Sequence, residues 1–157
     1  MDIQFNDIEL KNIEEIKSRY PENKSAIMPV LWMAQEKFGW ISEDVEKYVA
    51  ELLSLPVAHV QGVVSFYSMF YKKPMGKYHI QVCTNISCSI LEADNILEHI
   101  SVKLGIKKNE CTLDSKFSLE EVECMGACGY APMIAVNEDY FENVDINKVD
   151  EIIDSLE

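Results

Sequence analysis

A chain of 157 residues, 48% of them apolar, can bury a hydrophobic core large enough to fold without a disulfide scaffold. Its 27 acidic residues outnumber its 14 basic ones, so the formal net charge is −13 at pH 7. No lysine or arginine cluster offers the positive stripe that a phosphate backbone requires. These values predict one or two compact domains and argue against nucleic acid as a partner.

The sequence predicts a cytoplasmic protein that does not insert into a membrane. Charged or polar residues interrupt every apolar stretch well before the roughly 18 apolar residues that a membrane helix needs. The N-terminus begins with Met1-Asp2-Ile3 and lacks the basic start and continuous apolar stretch of a signal peptide. In a reducing compartment, five cysteines with short local spacings favour metal ligation over disulfides.

Two amphipathic helices are predicted at the start of the chain. The first covers residues 6–20, stops before Pro21, and places Ile8, Ile13 and Ile16 at near-helical intervals. The second is expected to be capped by Ser25, to tolerate Pro29 in its first turn, and to end at Gly39 in the left-handed conformation.

Two further helices complete the predicted N-terminal part. Ser42 is the expected cap of the third helix, whose first turn is acidic and whose apolar stripe ends near Leu53. Pro56 can open a fourth, short helix that leads into the aromatic run 65–71. At residues 72–76 the pattern breaks and then becomes alternating, which places a domain boundary between 1–75 and 76–157.

Strands and helices alternate in the second part of the chain. Alternation over residues 77–82 predicts a strand that ends at Cys83, and alternation over 117–123 predicts one that delivers Cys124. A helix is expected from Leu91 to Leu104, ending at Gly105. Residues 133–136 and 140–144 read as two more strands, and the apolar spacing of residues 146–156 predicts a closing amphipathic helix.

Four of the five cysteines form two local pairs. Cys83 and Cys88 are separated by four residues, Cys124 and Cys128 by three, and 35 residues lie between the pairs. With each pair in a loop, one pair can bind one iron and the distant pair the other, which gives the four-thiolate shell of a [2Fe–2S] cluster. Cys111 has no neighbouring partner in sequence and is left out of the site, as a small apolar filler.

Other uses of the four cysteines stay open on spacing alone. A structural zinc site also takes four paired thiolates, and a thiol redox switch is a third possibility. Two disulfides fit a cytoplasmic protein less well. The small residues between Cys124 and Cys128 favour the cluster, because they let backbone N–H groups approach sulfur. His59, His79 and His99 lack ligand-type spacing, and no Gly-rich phosphate loop is present, so neither a catalytic residue nor a nucleotide site is expected.

The sequence resembles the thioredoxin-like [2Fe–2S] ferredoxin family, in the form found in the NADH-oxidising module of respiratory complex I, the NADH:quinone oxidoreductase of the respiratory chain. The resemblance spans about residues 25–157. It is carried by both cysteine loops, by Ala131-Pro132 after the second loop, and by three further stretches: 31–41 (LWMAQEKFGWI), 65–70 (SFYSMF) and 73–78 (KPMGKY).

The resemblance implies an α/β protein, α+β overall, in which an N-terminal helical bundle precedes a thioredoxin-like domain. It implies one [2Fe–2S] cluster on Cys83, Cys88, Cys124 and Cys128, and an oxidoreductase subunit without an active site of its own. The implied partner is a larger flavoprotein subunit that binds NADH, FMN and a [4Fe–4S] cluster, together with other subunits that hold the chain at the periphery of the inner membrane.

The resemblance also fits an equivalent subunit of a different assembly. NAD-dependent formate dehydrogenases and multisubunit hydrogenases use similar subunits. Many family members also carry a basic residue followed by glycine where this chain has Leu91 and Glu92. The side chains of Phe66, Tyr67, Met69, Phe70 and Tyr71 suit either the core of an interface with the partner or internal packing.

Overall fold

The structure, a computed structural model, describes residues 3–156. The chain forms two compact units that divide between Pro74 and Met75. We call residues 3–74 the helical unit and residues 75–156 the sheet unit. This division lies one residue from the boundary expected from the sequence.

The helical unit contains four α-helices and a short 3-10 turn. They are α1 (Asp7–Ser18), the 3-10 turn Asn23–Ala26, α2 (Ile27–Phe38), α3 (Glu43–Leu53) and α4 (Val57–Phe66). The Asn6 side chain accepts hydrogen bonds from the N–H groups of Ile8 and Glu9, and Ser42 Oγ accepts one from Val45 N. Gly39 ends α2 in the left-handed conformation at φ 81°, as predicted.

Two expectations for this unit are wrong. Ser25 does not cap α2, because the helix continues directly from the 3-10 turn and its N-cap, Ala26, already has helical backbone angles. A side-chain cap needs an extended residue at that point. Ile8 is exposed, whereas Ile13 and Ile16 of the same helix are buried, because Ile8 lies in the first turn off the apolar stripe.

One core holds the helical unit together. Its fully buried residues come from all four helices and include Ile13, Val30, Leu31, Val49, Leu53, Val60 and Val64. Gln35, which is also buried, donates from Nε2 to the Met69 carbonyl at 2.9 Å and accepts from Tyr71 N at 2.7 Å. These two bonds fix the aromatic segment that follows α4.

The sheet unit combines a five-stranded mixed sheet with three helices. The strands are β1 (Tyr78–Cys83), β2 (Glu110–Cys111), β3 (Phe117–Val122), β4 (Ile134–Val136) and β5 (Asp139–Phe141), and the helices are α5 (Ile86–Ile90), α6 (Ala93–Leu104) and α7 (Ile146–Ser155). The sheet order is β2-β3-β1-β4-β5; β1 and β3 are parallel and the other pairs are antiparallel. This confirms the expected fold class.

The sequence missed two features of this unit. The helix expected from Leu91 to Leu104 is α6, which begins at Ala93 and ends as predicted, but the short helix α5 before it was not predicted. Glu92, between the two helices, has a left-handed backbone at φ 67°. Strand β2 was not predicted, since two residues are too short to show an alternating pattern. Within residues 3–156, no helix is both long and apolar enough to cross a bilayer.

Candidate [2Fe–2S] site

The parallel pairing of β1 with β3 places the two cysteine segments at one edge of the sheet. Cys83 is the last residue of β1 and stands in register with Val122, the last residue of β3. Cys124 follows two residues later. A hydrogen bond of 3.1 Å from Thr84 N to the Val122 carbonyl holds the two strand ends together. Because parallel strands end on the same side, distant cysteine pairs become neighbours.

Cys88 lies on a helix and not in a loop, which corrects the expectation for the first pair. Asn85 caps α5 by accepting a hydrogen bond of 2.7 Å from Ile86 N. The short helix then turns Cys88 back toward Cys83, and each of these cysteines is only 3% exposed. Ala93, Ala131 and Met133 are buried with them in one small apolar cluster. The Ala131–Pro132 peptide bond is cis.

The second pair lies on the open side of the site. Cys124 and Cys128 are both exposed, and the 3-10 turn Cys128–Tyr130 begins at the second of them. Gly126, at φ 76°, donates from its backbone N to Cys124 Sγ at 3.3 Å. The small residue between the cysteines therefore lets an N–H group reach sulfur, in the way that its sequence context indicated.

Burial raises the pKa of the Cys88 thiol to about 11, and the neighbouring Cys83 thiol adds to the shift. Cys128 acts in the same direction, so thiols from both segments influence one another. A thiol with this pKa is protonated at neutral pH when no metal is bound. Ligation of a metal by Cys88 must then release its proton.

The donor set fits a [2Fe–2S] cluster. Cys83 and Cys88 are buried together beside alanine and methionine side chains, and Cys128 is close enough to help raise the pKa of the Cys88 thiol. Cys124 lies two residues after the end of β3, and none of the five cysteines is in a disulfide. In the described part of the chain, no three His, Cys, Asp or Glu side chains are grouped as ligands of a single metal ion. The sequence analysis missed Asn85 and Met133. Asn85 could have been found from a local signal, because Asn is a favoured N-cap, whereas the burial of Met133 beside the cysteines depends on tertiary packing.

The remaining cysteine and the histidines lie outside the site. Cys111 is in strand β2, opposite Ser118 of β3. His79 is buried and has its Nδ1 2.9 Å from Ser118 Oγ and its Nε2 2.9 Å from Glu120 Oε2. His99 Nε2 lies 2.8 Å from Asp150, and His59 is exposed on α4. His79 is therefore a buried packing residue, and His59 is a surface residue.

Comparisons with known proteins show the family to which this chain belongs. Residues 13–157 match the family model described as thioredoxin-like [2Fe–2S] ferredoxin. The chain is 42% identical over 156 residues to an NADH-quinone oxidoreductase subunit from Rickettsia conorii, covering 98% of this chain and 93% of the relative. Identity to the protein of the same name from Rickettsia bellii is 43%, with coverage of 97% and 93%. An NADH-quinone oxidoreductase subunit from Rhizobium meliloti is 39% identical, with coverage of 93% and 87%.

A solved structure shares the fold. The crystal structure of NAD+-reducing [NiFe]-hydrogenase in the H2-reduced state superimposes with a TM-score of 0.73 at 18% identity. The match covers 83% of this chain but only 22% of the hydrogenase chain. At this identity the likeness describes the fold alone.

Proposed function

Because this chain belongs to the thioredoxin-like [2Fe–2S] ferredoxin family, we propose that it is the electron-transfer subunit of an NADH:quinone oxidoreductase, with Cys83, Cys88, Cys124 and Cys128 as the ligands of one [2Fe–2S] cluster. The observation that carries the proposal is the meeting of two cysteine pairs at the adjoining ends of β1 and β3. When bound, the cluster supplies a one-electron redox couple. The chain turns over no substrate of its own.

The buried and the exposed side of this site each contribute two of the proposed ligands. Cys83 and Cys88 bind from the buried side, where Ala93 and Ala131 keep water away from sulfur. Cys124 and Cys128 bind from the exposed side, and the Gly126 N–H donates to the Cys124 sulfur. Donation to a thiolate stabilises its negative charge, so this bond tunes the redox couple toward reduction.

The proposed partner is a larger flavoprotein subunit that carries FMN, the NADH site and a [4Fe–4S] cluster. The surface next to the cysteines supports such a partner, because large apolar side chains are exposed there. Ile86 and Ile90 are 74% and 75% exposed on either side of Cys88, and Leu91 and Tyr130 are also exposed. An interface over this rim would bring a redox group on the partner close to the sulfur atoms.

The helical unit is the second proposed docking element. At the end of α4 and just after it, Phe66, Tyr67 and Met69 are exposed, whereas Phe70 is buried in the core. We call the three exposed side chains the aromatic patch. The names of the relatives support NADH:quinone oxidoreductase over a formate dehydrogenase or a hydrogenase. The chain would then lie at the periphery of the inner membrane through its complex.

Metal analysis tests the cluster. Protein purified without oxygen should contain iron and acid-labile sulfide in equal amounts, about two of each per chain, and its visible absorption should bleach on reduction. Colourless protein that holds one zinc ion would instead support a zinc-stapled adaptor.

Single Cys→Ser variants test the ligands. Cys83→Ser, Cys88→Ser, Cys124→Ser and Cys128→Ser should each lose most of the iron or change the spectrum, because serine is a poor substitute for thiolate at iron. Cys111→Ser is the matched control and should keep the wild-type iron content and spectrum. A ligand variant that is indistinguishable from Cys111→Ser would remove that residue from the site.

A further inference from the structure

A cavity of about 750 Å³ lies on the helical unit, between the start of α3 and the outer side of α4. It is lined by three acids (Glu43, Asp44 and Glu46), one lysine (Lys72), and by Trp40, Gln61 and other residues. The cysteine site belongs to the other unit, so the cluster does not account for this cavity. Its lining is more negative than positive.

The helix itself accounts for two of the three acids. Glu43 and Asp44 are exposed in the first turn of α3, where the helix dipole favours negative charge, and Asp44 pairs with Lys47 at 2.9 Å. Such residues are common at helix starts and do not require a ligand. They contribute only a negative field at the mouth of the cavity.

Glu46 is different, because it is 7% exposed and its carboxylate is unpaired. Among residues 3–156, that carboxylate forms neither a hydrogen bond nor an ion pair, and Lys72 lines the same cavity without pairing with it. No unpaired side-chain oxygen of the described residues is sealed from solvent, so the Glu46 oxygens open into the cavity. A carboxylate held this deeply is costly unless a cation or hydrogen-bond donors meet it.

We propose that this cavity receives a basic side chain, arginine or lysine, from the flavoprotein partner, and that Glu46 forms an ion pair with it. Trp40 lines the same cavity, and an indole ring attracts a guanidinium or ammonium group through its aromatic face. The cavity also shares Gly62 with a shallower groove lined by Phe66 and Tyr67, so it is continuous with the aromatic patch. The inference rests on the proposed function and adds a charged anchor to the docking surface.

Binding of the isosteric variant Glu46→Gln to the partner tests the proposal. The chain and the NADH- and FMN-binding subunit of the same complex are purified, and their dissociation constant is measured at low and at high salt. Glu46→Gln should weaken binding at least about tenfold and reduce its salt dependence, because the buried ion pair is lost. Glu51→Gln, an exposed acid on the same helix, removes the same charge and should change binding little.

The melting temperature of the free chain gives a second test, because the proposal and a purely structural role predict different changes in it. If Glu46 only supported the fold, Glu46→Gln would lower the melting temperature of the free chain. Under the proposal, the melting temperature stays the same or rises, because an unpaired buried charge is removed. The iron content should not change in either variant.

Three outcomes would overturn the inference. If Glu46→Gln bound the partner as tightly as Glu51→Gln does, Glu46 would form no ion pair with the partner. If Mg²⁺ raised the melting temperature of the wild type but not that of Glu46→Gln, the cavity would be a metal site. A wild-type chain with its full iron content that failed to bind the flavoprotein at all would refute the proposed function, and the inference with it.

Discussion

Glu92 holds the backbone of the cysteine site in a left-handed turn. Its φ of 67° joins α5, which carries Cys88, to α6, whose first residue Ala93 packs beside the buried cysteines. Only glycine adopts this conformation without a steric penalty, which is about 1–2 kcal/mol for other residues. The glycine that many family members have at this place fits the same turn.

Glu92→Gly should therefore stabilise the protein. Glycine removes the backbone strain of the folded state, but it also makes the unfolded chain more flexible, which offsets part of the gain. The net stabilisation is expected to be about 1 kcal/mol, which raises the melting temperature by about 2–4 °C. Thermal unfolding of the cluster-loaded protein measures the change. Glu92→Ala keeps the Cβ atom while removing the charge and should bring no such gain; an equal gain in both variants would attribute the effect to charge.

At the scale of single elements, the start of α1 is fixed by a reciprocal cap. Asn6 Oδ1 accepts from Ile8 N and Glu9 N, each at 3.0 Å, and the Glu9 side chain accepts from Asn6 N at 2.7 Å. Asn6→Ala leaves these backbone N–H groups without their partner and should cost about 0.5–2 kcal/mol. Denaturant unfolding measures this loss.

Ser25 is the matched control for the cap. It was expected from sequence to cap α2, but it is exposed and α2 has no side-chain cap. Ser25→Ala should leave the free energy of unfolding nearly unchanged. A loss as large as that of Asn6→Ala would mean that α2 begins at a cap after all.

Asp150 connects the two long helices of the sheet unit in a pH-dependent way. On α7, its carboxylate accepts from Lys103 Nζ and His99 Nε2 of α6, each at 2.8 Å. The bond with Lys103, and then the one with His99, hold the pKa of Asp150 below its ordinary value. A carboxyl whose pKa is lowered in the folded state stabilises that state above its unfolded pKa, about 4, and loses this contribution as the pH falls through the folded pKa.

Asp150→Asn should consequently melt below the wild type at pH 6. The gap in melting temperature should narrow as the pH falls below about 4, since the wild-type carboxyl becomes protonated and loses its charged pairing. Melting curves from about pH 6 to about pH 2.5 measure the gap across this transition. A gap that stayed constant over this range would show that packing of the side chain, and not its charge, matters.

At the scale of the whole molecule, the proposed cluster belongs to the sheet unit, whereas the helical unit carries the second proposed docking surface. The helical unit has its own core of residues up to Phe70, and the sheet unit has separate cores for the sheet and for the cysteines. The net charge of −13 favours fast association with a partner that presents a basic surface.

A chain that begins at Met75 tests this division. It should still show the visible spectrum of the cluster, because all four proposed ligands and their apolar walls lie in the sheet unit. It should lose most of its affinity for the flavoprotein, because the aromatic patch and the Glu46 cavity are removed. The chain of residues 1–157 is the control for both measurements, and undiminished binding by the short chain would contradict the docking role of the helical unit.

The sequence by itself determined the class of site and most of the elements. Cysteine spacing, the change from helical to alternating periodicity, and residues such as Gly39 and Ser42 act locally, so their consequences can be predicted from neighbours in the chain. The tertiary structure alone decided which polar groups are buried and what they meet. Glu46 is buried with no partner for its carboxylate in the described part of the chain, and His79 contacts Ser118 and Glu120. These arrangements, and the turn of Cys88 back toward Cys83, depend on how the chain packs and not on the local pattern of residues.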